Sequence, residues 1–524
     1  MKRDLLWLTA LALVARSVAA LLVPHPPYTD PAYYVLVADR LADGFGFTVP
    51  VLWSFLEVGG SLPSSPALPV ASNGHWMPMT SLLSVPFIWA LEPVIGAWRA
   101  AQVPFVILST ALVPFTYWVG WELWRSRLVA RMAGILAVLA GPFLIYYPQV
   151  NNIAAFGAFG AGAVWCCIRS VSSTSPGWLP GAGVLAGLAT LTRVDGLLLA
   201  VPILVAWWLG RRSAVPLLLA ALAFVVVMAP WLVRNLAVFG SPFPSAGGHT
   251  LWITTYNQQF SILADPSVAS HLAAGLGTVV GARLATWVEL AGRVTVLLGG
   301  IFVLPFVYGL WVERRRSELA PFVAYFATVF VVMGLVFTFH APHGAFYHSA
   351  GAWLPFALPL AVASVPGLAD AAGRWWRFLR RPATHRFLLV AGVVGAAVLS
   401  LAGSAVVYRG WAVSQARLES AAGFLASAAE PGDRVMAYDP ARLYELVPLE
   451  GVPPPFDPFA VVDRVVDAYD VRWVVVTLAA DDERDPLGLW DGAAGRDIRG
   501  EAPSFLPSLP TFEAPGVRVY EVGE

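Results

Sequence analysis

Apolar residues come along this chain in blocks of about 20, the length at which a helix crosses the hydrocarbon of a bilayer. The blocks repeat from residue 5 to about residue 408 and then stop. They predict spans near 5–23, 99–121, 129–147, 153–169, 178–192, 196–210, 214–233, 294–312, 319–339, 350–368 and 386–408, about eleven crossings in all. Met77–Leu91 is also apolar, but short and interrupted by Pro78 and Pro86. The alternative that lets it cross merges 178–210 into one broken span and reaches the same total.

The charges orient the spans. Gly373–Arg386 (GRWWRFLRRPATHR) is the most basic loop, with Glu313–Arg316 and Arg211-Arg212 next, and short basic loops stay cytoplasmic. If Met77–Leu91 crosses, Arg125, Arg127 and Arg131 fall outside; if it lies along or dips into the outer interface, all three are cytoplasmic. The second arrangement is therefore expected. It describes a multi-pass plasma (inner) membrane protein with a cytoplasmic N-terminus and everything after Tyr408 extracytoplasmic. The outer side then gathers the unusual polar material: loops 24–98 and 234–293, the turns Gln149–Asn152 and Arg193–Asp195, and the histidine-bearing loop His340–Ser349.

Composition agrees with the membrane as solvent, since 58% of residues are hydrophobic and 13% charged, against about 25% charged in a soluble domain. Tryptophans such as Trp98, Trp121, Trp231, Trp311, Trp375 and Trp376 sit at block ends, as interfacial belts require. Leu5–Val23 follows Lys2 and Arg3 but is long for a signal peptide and is broken by Arg16, so it reads as a retained anchor. Zero net charge leaves no footprint for nucleic acid. Cys166 and Cys167 are neighbours in an apolar run and cannot face each other on a helix, so neither a disulfide nor a zinc site is expected from them.

Beyond about Gln415 the pattern changes. Arg434–Tyr438 and Arg472–Thr477 are short β-branched runs, Phe459–Tyr469 has helical apolar spacing, and Gly516–Val522 reads as a last strand. The expected layout is an all-α polytopic membrane domain over 1–410 and a small soluble α/β domain over 411–524. No catalytic motif occurs in the soluble part, which reads as a structural or acceptor-guiding cap.

Candidate chemistry begins in the first outer loop. Residues 31–43 have helical apolar spacing, with Ala32, Leu36, Ala38 and Leu41 usable as a membrane-facing stripe. Asp30 before Pro31 then reads as the N-cap of an interfacial helix. It is either a cap only or a carboxylate held at the membrane surface, where a general base could meet a lipid-borne substrate.

Five stretches in order carry a resemblance. Asp30-x-x-Tyr33-Tyr34 is followed by Ala38-x-x-Leu41-x-x-Gly44-x-Gly46 and by His75-x-x-Pro78. Gly187–Gly196 (GLATLTRVDG) and Pro230–Asn235 (PWLVRN) with Gly240 and Pro242 come next. Together they resemble the polyprenyl-phosphate-sugar-dependent glycosyltransferases of the GT-C fold, in the branch of the protein O-mannosyltransferases and bacterial lipid A aminoarabinose transferases. The likeness covers most of residues 1–245 and, more loosely, the layout including the tail. It implies an inverting transfer from a polyprenyl-phosphate sugar to an acceptor on the outer face, the acceptor being a protein, glycan or lipid. By position Asp30 is the base. Arg193, costly inside a membrane unless paired or facing a polar cavity, is the donor-phosphate ligand or the ion-pair partner of Asp195. His75 contacts phosphate or acceptor, or is a turn histidine. Tyr33, Tyr34, Asn151, Asn152, Asp195, His343 and His348 are expected around the substrate.

Two departures bear on a divalent metal ion as possible cofactor. Family members often carry an acidic residue where this chain has Gln149–Asn152, and His-Pro-Pro has become His75-Trp76-Met77-Pro78. His340, His343 and His348 could ligate a metal by type, yet their spacing fits no strong template. Rival readings are a secondary transporter or lipid flippase, whose inverted repeats and midplane charges are not evident here, a non-catalytic scaffold, and, among enzymes, a polymerase or ligase of surface polysaccharide.

Overall fold

The computed structural model describes residues 1–523 except 140, 174, 176, 211–212, 245–247, 249, 478–504 and 508. Arg211-Arg212 therefore lies outside the described residues. The chain opens with α1 (Lys2–Leu22), α2 (Thr29–Ala42), α3 (Met79–Ile95), α4 (Ala97–Trp124), α5 (Arg127–Leu139) and α6 (Phe143–Tyr146). It continues with α7 (Asn152–Ser172), α8 (Trp178–Thr192), α9 (Ala200–Leu209) and α10 (Val215–Phe239). Then come α11 (Val268–Ala273), α12 (Leu276–Leu297), α13 (Val303–Val312), α14 (Ala320–Leu335), α15 (Phe346–Ala372) and α16 (Pro382–Ala428).

α1 and α4 run antiparallel. Arg99 donates to the carbonyls of Ala20, Leu21 and Val23 where α1 ends, whereas Tyr117 donates to Asp4 where α1 begins. Arg127 and Arg131 reach the same Asp4 at 2.6 and 2.8 Å. Arg316 donates to the Leu123 carbonyl, and Tyr308 packs on Gly367. The loops rich in arginine thus gather on the face where α1 starts. α3 begins and ends on the opposite face. It lies beside α2, with Ser81 donating to the Tyr34 carbonyl and Trp89 to that of Ala42. Gly96, at φ +79°, a conformation side chains disfavour, then turns the chain into α4.

Among the described residues, seven helical segments are long and apolar enough to cross a membrane: α1, α4, α7, α10, Ser317–Leu335, Ala341–Ala372 and α16. The other expected spans are made of shorter pieces. Span 129–147 breaks at Gly141 between α5 and α6. The fully buried Arg16 fills that break, donating to the carbonyls of Ala137 and Leu144, which explains a cation inside an apolar block. The expected outer loop 234–293 is in part helical. Its last part is the 22-residue helix α12, with Leu276, Val280, Leu284 and Val288 exposed along it. Arg283, Glu289 and Arg293 dilute its hydropathy; Arg283 turns to His271, while Arg293 and Glu289 pair four residues apart. Gly299 and Gly300, both at positive φ, separate α12 from α13, so the expected span 294–312 is not one helix. Between α8 and α9 the chain reverses at Arg193–Gly196 instead of continuing as one broken span. A Cβ on Gly196 would lie 2.5 Å from the Thr190 nitrogen.

Small residues set the packing beneath the site. Gly157 and Gly160 of α7 face Gly351 and Ala352 of α15, and a Cβ on Gly160 would stand 2.6 Å from that of Ala352. Close backbone approach of this kind holds helices together where the solvent is as apolar as the side chains.

The C-terminal part is a small α/β layer. Strands β3 (Arg434–Ala437), β4 (Glu450–Val452), β5 (Val471–Thr477), β6 (Phe512–Ala514) and β7 (Val517–Glu521) form a mixed sheet in the order β4-β3-β5-β7-β6, with helices α17 (Pro440–Tyr444) and α18 (Phe459–Tyr469). β1 (Thr48–Val49) and β2 (Val70–Ala71) pair separately in the first outer loop. The expected boundary at 410 falls inside α16. That helix is continuous for 47 residues, and its last turns, with Ala421, Ala422 and Leu425, belong to the core under the sheet.

Candidate active site

α2 begins at Thr29, with Tyr28 preceding it and no side-chain cap. Asp30 is therefore not the N-cap expected from the sequence. It sits in the first turn, where Pro31 is tolerated because N–H groups there need no intrahelical acceptor. Nor does α2 present a membrane-facing stripe, since every residue from Pro31 to Ala38 is buried, against α3, α4 and α17. That packing fixes Asp30 and Tyr34, one turn apart, in the wall of a half-open cavity of about 540 Å³, a size suited to a small ligand.

The turn between α8 and α9 forms the facing wall. Arg193 Nε donates to Asp195 Oδ1 at 2.9 Å, and Ser349 donates to the other Asp195 oxygen. Both Nη groups of Arg193 make no hydrogen bond to the described residues, so the ion pair orients the guanidinium and leaves two donors for a ligand. Asn152 links the walls: its Nδ2 donates to the Tyr34 hydroxyl at 3.3 Å and its Oδ1 meets His348 Nδ1. Burial and the Asp30 carboxylate hold the Tyr34 phenol well above its ordinary range, with Arg193 acting in the other direction. Base candidate, phenol and guanidinium therefore share one electrostatic field.

The loop around β1 and β2 supplies the rest. His75 stacks on Trp53 with ring centroids 4.9 Å apart. Enclosure in the wall, and then the Arg193 charge, push its pKa down to about 4; enclosure, His75, His343 and Arg193 push that of His340 to about 3. Both are neutral imidazoles near pH 7, so each faces the cavity as a hydrogen-bonding group and not as a cation. His343 stacks face to face on Tyr256 at 3.7 Å.

The cavity thus collects Asp30, Tyr34, His75, Asn152, Arg193, Asp195, His343 and His348 of the expected residues. Tyr33 and Asn151 do not line it. Tyr33 turns away to donate to Glu57 and accept from the Asn73 nitrogen, and Asn151 caps α7 and donates to the Tyr28 hydroxyl. Sequence reasoning missed Trp53, Asn73, Tyr256 and Gln259, which also line it. They come from irregular loops without hydrophobic period, which leave no sequence signal. Glu57 lies behind the wall. Burial raises it to about 7, against the hydrogen bonds from Tyr33 and the Trp53 nitrogen. Among the described residues no three His, Cys, Asp or Glu side chains converge on one point.

A second cavity, of about 630 Å³, adjoins the first and shares Trp53 with it. Tyr28, Trp411, Arg409, Arg442 and Phe456 lie in its walls, between α16, the start of α2 and the C-terminal sheet.

No protein-family model matches the chain, and no curated protein matches it. Solved structures do. The chain is similar to the crystal structure of ArnT from Cupriavidus metallidurans bound to undecaprenyl phosphate, with a TM-score of 0.60 and 13% identity over 98% of this chain and 97% of that one. It is also similar to the apo state of that protein, with a TM-score of 0.55 at the same identity and coverage. The fold is accordingly the GT-C fold of that lipid A aminoarabinose transferase.

Proposed function

We propose that the protein is an inverting glycosyltransferase that moves a sugar from a polyprenyl phosphate to an acceptor hydroxyl on the extracytoplasmic face of the membrane. The observation that carries the reading is the placement of Asp30 and the Arg193 guanidinium in the walls of one cavity, within a fold shared with a protein solved with undecaprenyl phosphate. The Asp30 carboxylate takes the proton of the acceptor hydroxyl. That oxygen attacks the anomeric carbon from the side opposite the phosphate, and the bond from carbon to phosphate oxygen breaks. The lipid phosphate leaves with the bonding pair, and charge gathering on its oxygens is met by the two Nη groups of Arg193, whose fork suits phosphate. Asp195 and Ser349 hold that fork in place. Tyr34 and Asn152 brace the wall between base and cation.

The acceptor approaches through the cavity beneath the soluble domain. Its shared wall at Trp53 and the bond from Thr29, next to Asp30, to Asp439 of the soluble domain support that route. The outward sidedness is supported by the basic loops, which lie on the face away from the cavity. Asp30→Asn is the test. Removal of a positioned base costs about 10²–10⁴-fold, so transfer from polyprenyl-phosphate sugars should be abolished in folded protein that still binds undecaprenyl phosphate. Near-normal transfer by this variant would leave Asp30 a structural residue.

A further inference from the structure

Two amide groups in the cavity wall have nothing to donate to. Asn73 and Gln259 are almost fully buried, at 2% and 3% exposure, and both line the cavity. Asn73 Nδ2 and Gln259 Nε2 have no hydrogen-bond partner among the described residues. Each is otherwise anchored: Asn73 Oδ1 accepts from Ser72, its backbone nitrogen donates to Tyr33, and the Gln259 carbonyl accepts from Ser54 at 2.8 Å. His75 Nδ1 and both ring nitrogens of His340 are likewise buried without a partner. An unmet buried donor costs free energy, and native proteins rarely leave several together.

The chemistry of this set is specific. The two open amide nitrogens donate, while a neutral imidazole with two open nitrogens donates from one and accepts at the other. A sugar hydroxyl, donor and acceptor at once, matches all of them. An ammonium group can only donate, so it leaves both open amide nitrogens unmet, and its charge calls for a carboxylate. The carboxylates lining the cavity are Asp195, engaged by Arg193 and Ser349, and Asp30, the base in the reading above. Phosphate is already served by the Arg193 fork.

We infer that Asn73, Gln259, His75 and His340 form the subsite for the donor's sugar, and that this sugar is neutral and rich in hydroxyls, without a free amine. The inference rests on the glycosyltransferase reading and adds the class of sugar.

Binding to the purified full chain tests it with three probes: undecaprenyl phosphate, an undecaprenyl-phosphate hexose, and the same lipid carrying an amino sugar. The hexose should bind more tightly than the bare lipid phosphate, and more tightly than the amino sugar. Asn73→Ala and Gln259→Ala should each lose about tenfold of hexose affinity with binding of the bare lipid unchanged, which also certifies the fold. Gln259→Glu, which places a carboxylate in the wall, should shift preference toward the amino sugar. Equal or tighter binding of the amino sugar by the unaltered protein overturns the inference, as does equal weakening of all three probes in both alanine variants. If bare undecaprenyl phosphate fails to bind, the glycosyltransferase reading fails with it; if it binds and the hexose adds nothing, the sugar subsite alone is wrong.

Discussion

Arg193→Ala is the most informative perturbation of this site. The guanidinium, in the cavity wall, spends one donor, Nε, on Asp195 at 2.9 Å and keeps both Nη groups clear of hydrogen bonds to the described residues. Truncation therefore removes a preorganised fork, and a single electrostatic donor of this kind supplies about 2–4 kcal/mol of transition-state stabilisation. That corresponds to about 30- to 1,000-fold in turnover. Arg193→Lys keeps the charge and loses the planar fork, so it should weaken donor use without abolishing it. Asp195→Asn preserves an acceptor for Nε and removes only a charge, so its loss should stay below about tenfold. Turnover with polyprenyl-phosphate sugars and affinity for undecaprenyl phosphate, measured side by side, separate these cases. Full affinity and turnover in Arg193→Ala would refute the phosphate role. Equal impairment of folding in Arg193→Ala, Asp195→Ala and the double variant would make the pair structural.

Three other outcomes are expected. Burial raises Glu57 from 4.5 to about 7, so the native state keeps a proton that the unfolded chain has lost. The stability this confers is complete below about pH 4.5 and fades as pH rises through 7, a difference of about 3 kcal/mol; Glu57→Gln should flatten the fall in melting temperature from pH 5 to 8, and an unchanged slope would count against the assignment. Arg16→Met leaves the Ala137 and Leu144 carbonyls open and should cost roughly 2–4 kcal/mol, seen as a lower melting temperature in detergent; a melting point equal to that of the unaltered protein would show that the break needs no cation. In a background without Cys166 and Cys167, an impermeant thiol reagent on intact cells should label cysteine introduced at Ala269 and not at Ser126, and the reverse pattern would invert the orientation.

Much of the bundle was legible because the bilayer forces nearly every residue of a crossing to be apolar. α1, α4, α7, α10, α15 and the membrane part of α16 each stand where an apolar block predicts them. α12 was illegible for the same reason: Arg283, Glu289 and Arg293 interrupt its block, and their pairing with His271 and with each other is tertiary information. The strands of the C-terminal layer, from Arg434, Val471 and Val517, were readable from β-branched runs. Within the site, Asp30 and Arg193 were found because each is a charge at the edge of an apolar block, where its cost demands a reason. Asn73 and Gln259 were not, since an amide in a polar loop costs nothing until the fold encloses it. The misplacement of Tyr33 has a similar origin. Tyr33 and Tyr34 are adjacent, and neighbours on a helix point about 100° apart, so one faces the cavity while the other turns to Glu57.

α16 runs unbroken for 47 residues, about 70 Å at helical rise, from the basic loop on one face of the bundle up into the core of the soluble layer. On the far side, Arg442 grips the Pro26 carbonyl and Gly451 bridges to Val51. A post with no joint on one flank and a clamp on the other make the soluble layer a fixed roof and not a lid. Whatever enters must come in through the sides, and the bulk of an admissible guest is decided by the doorways between the walls.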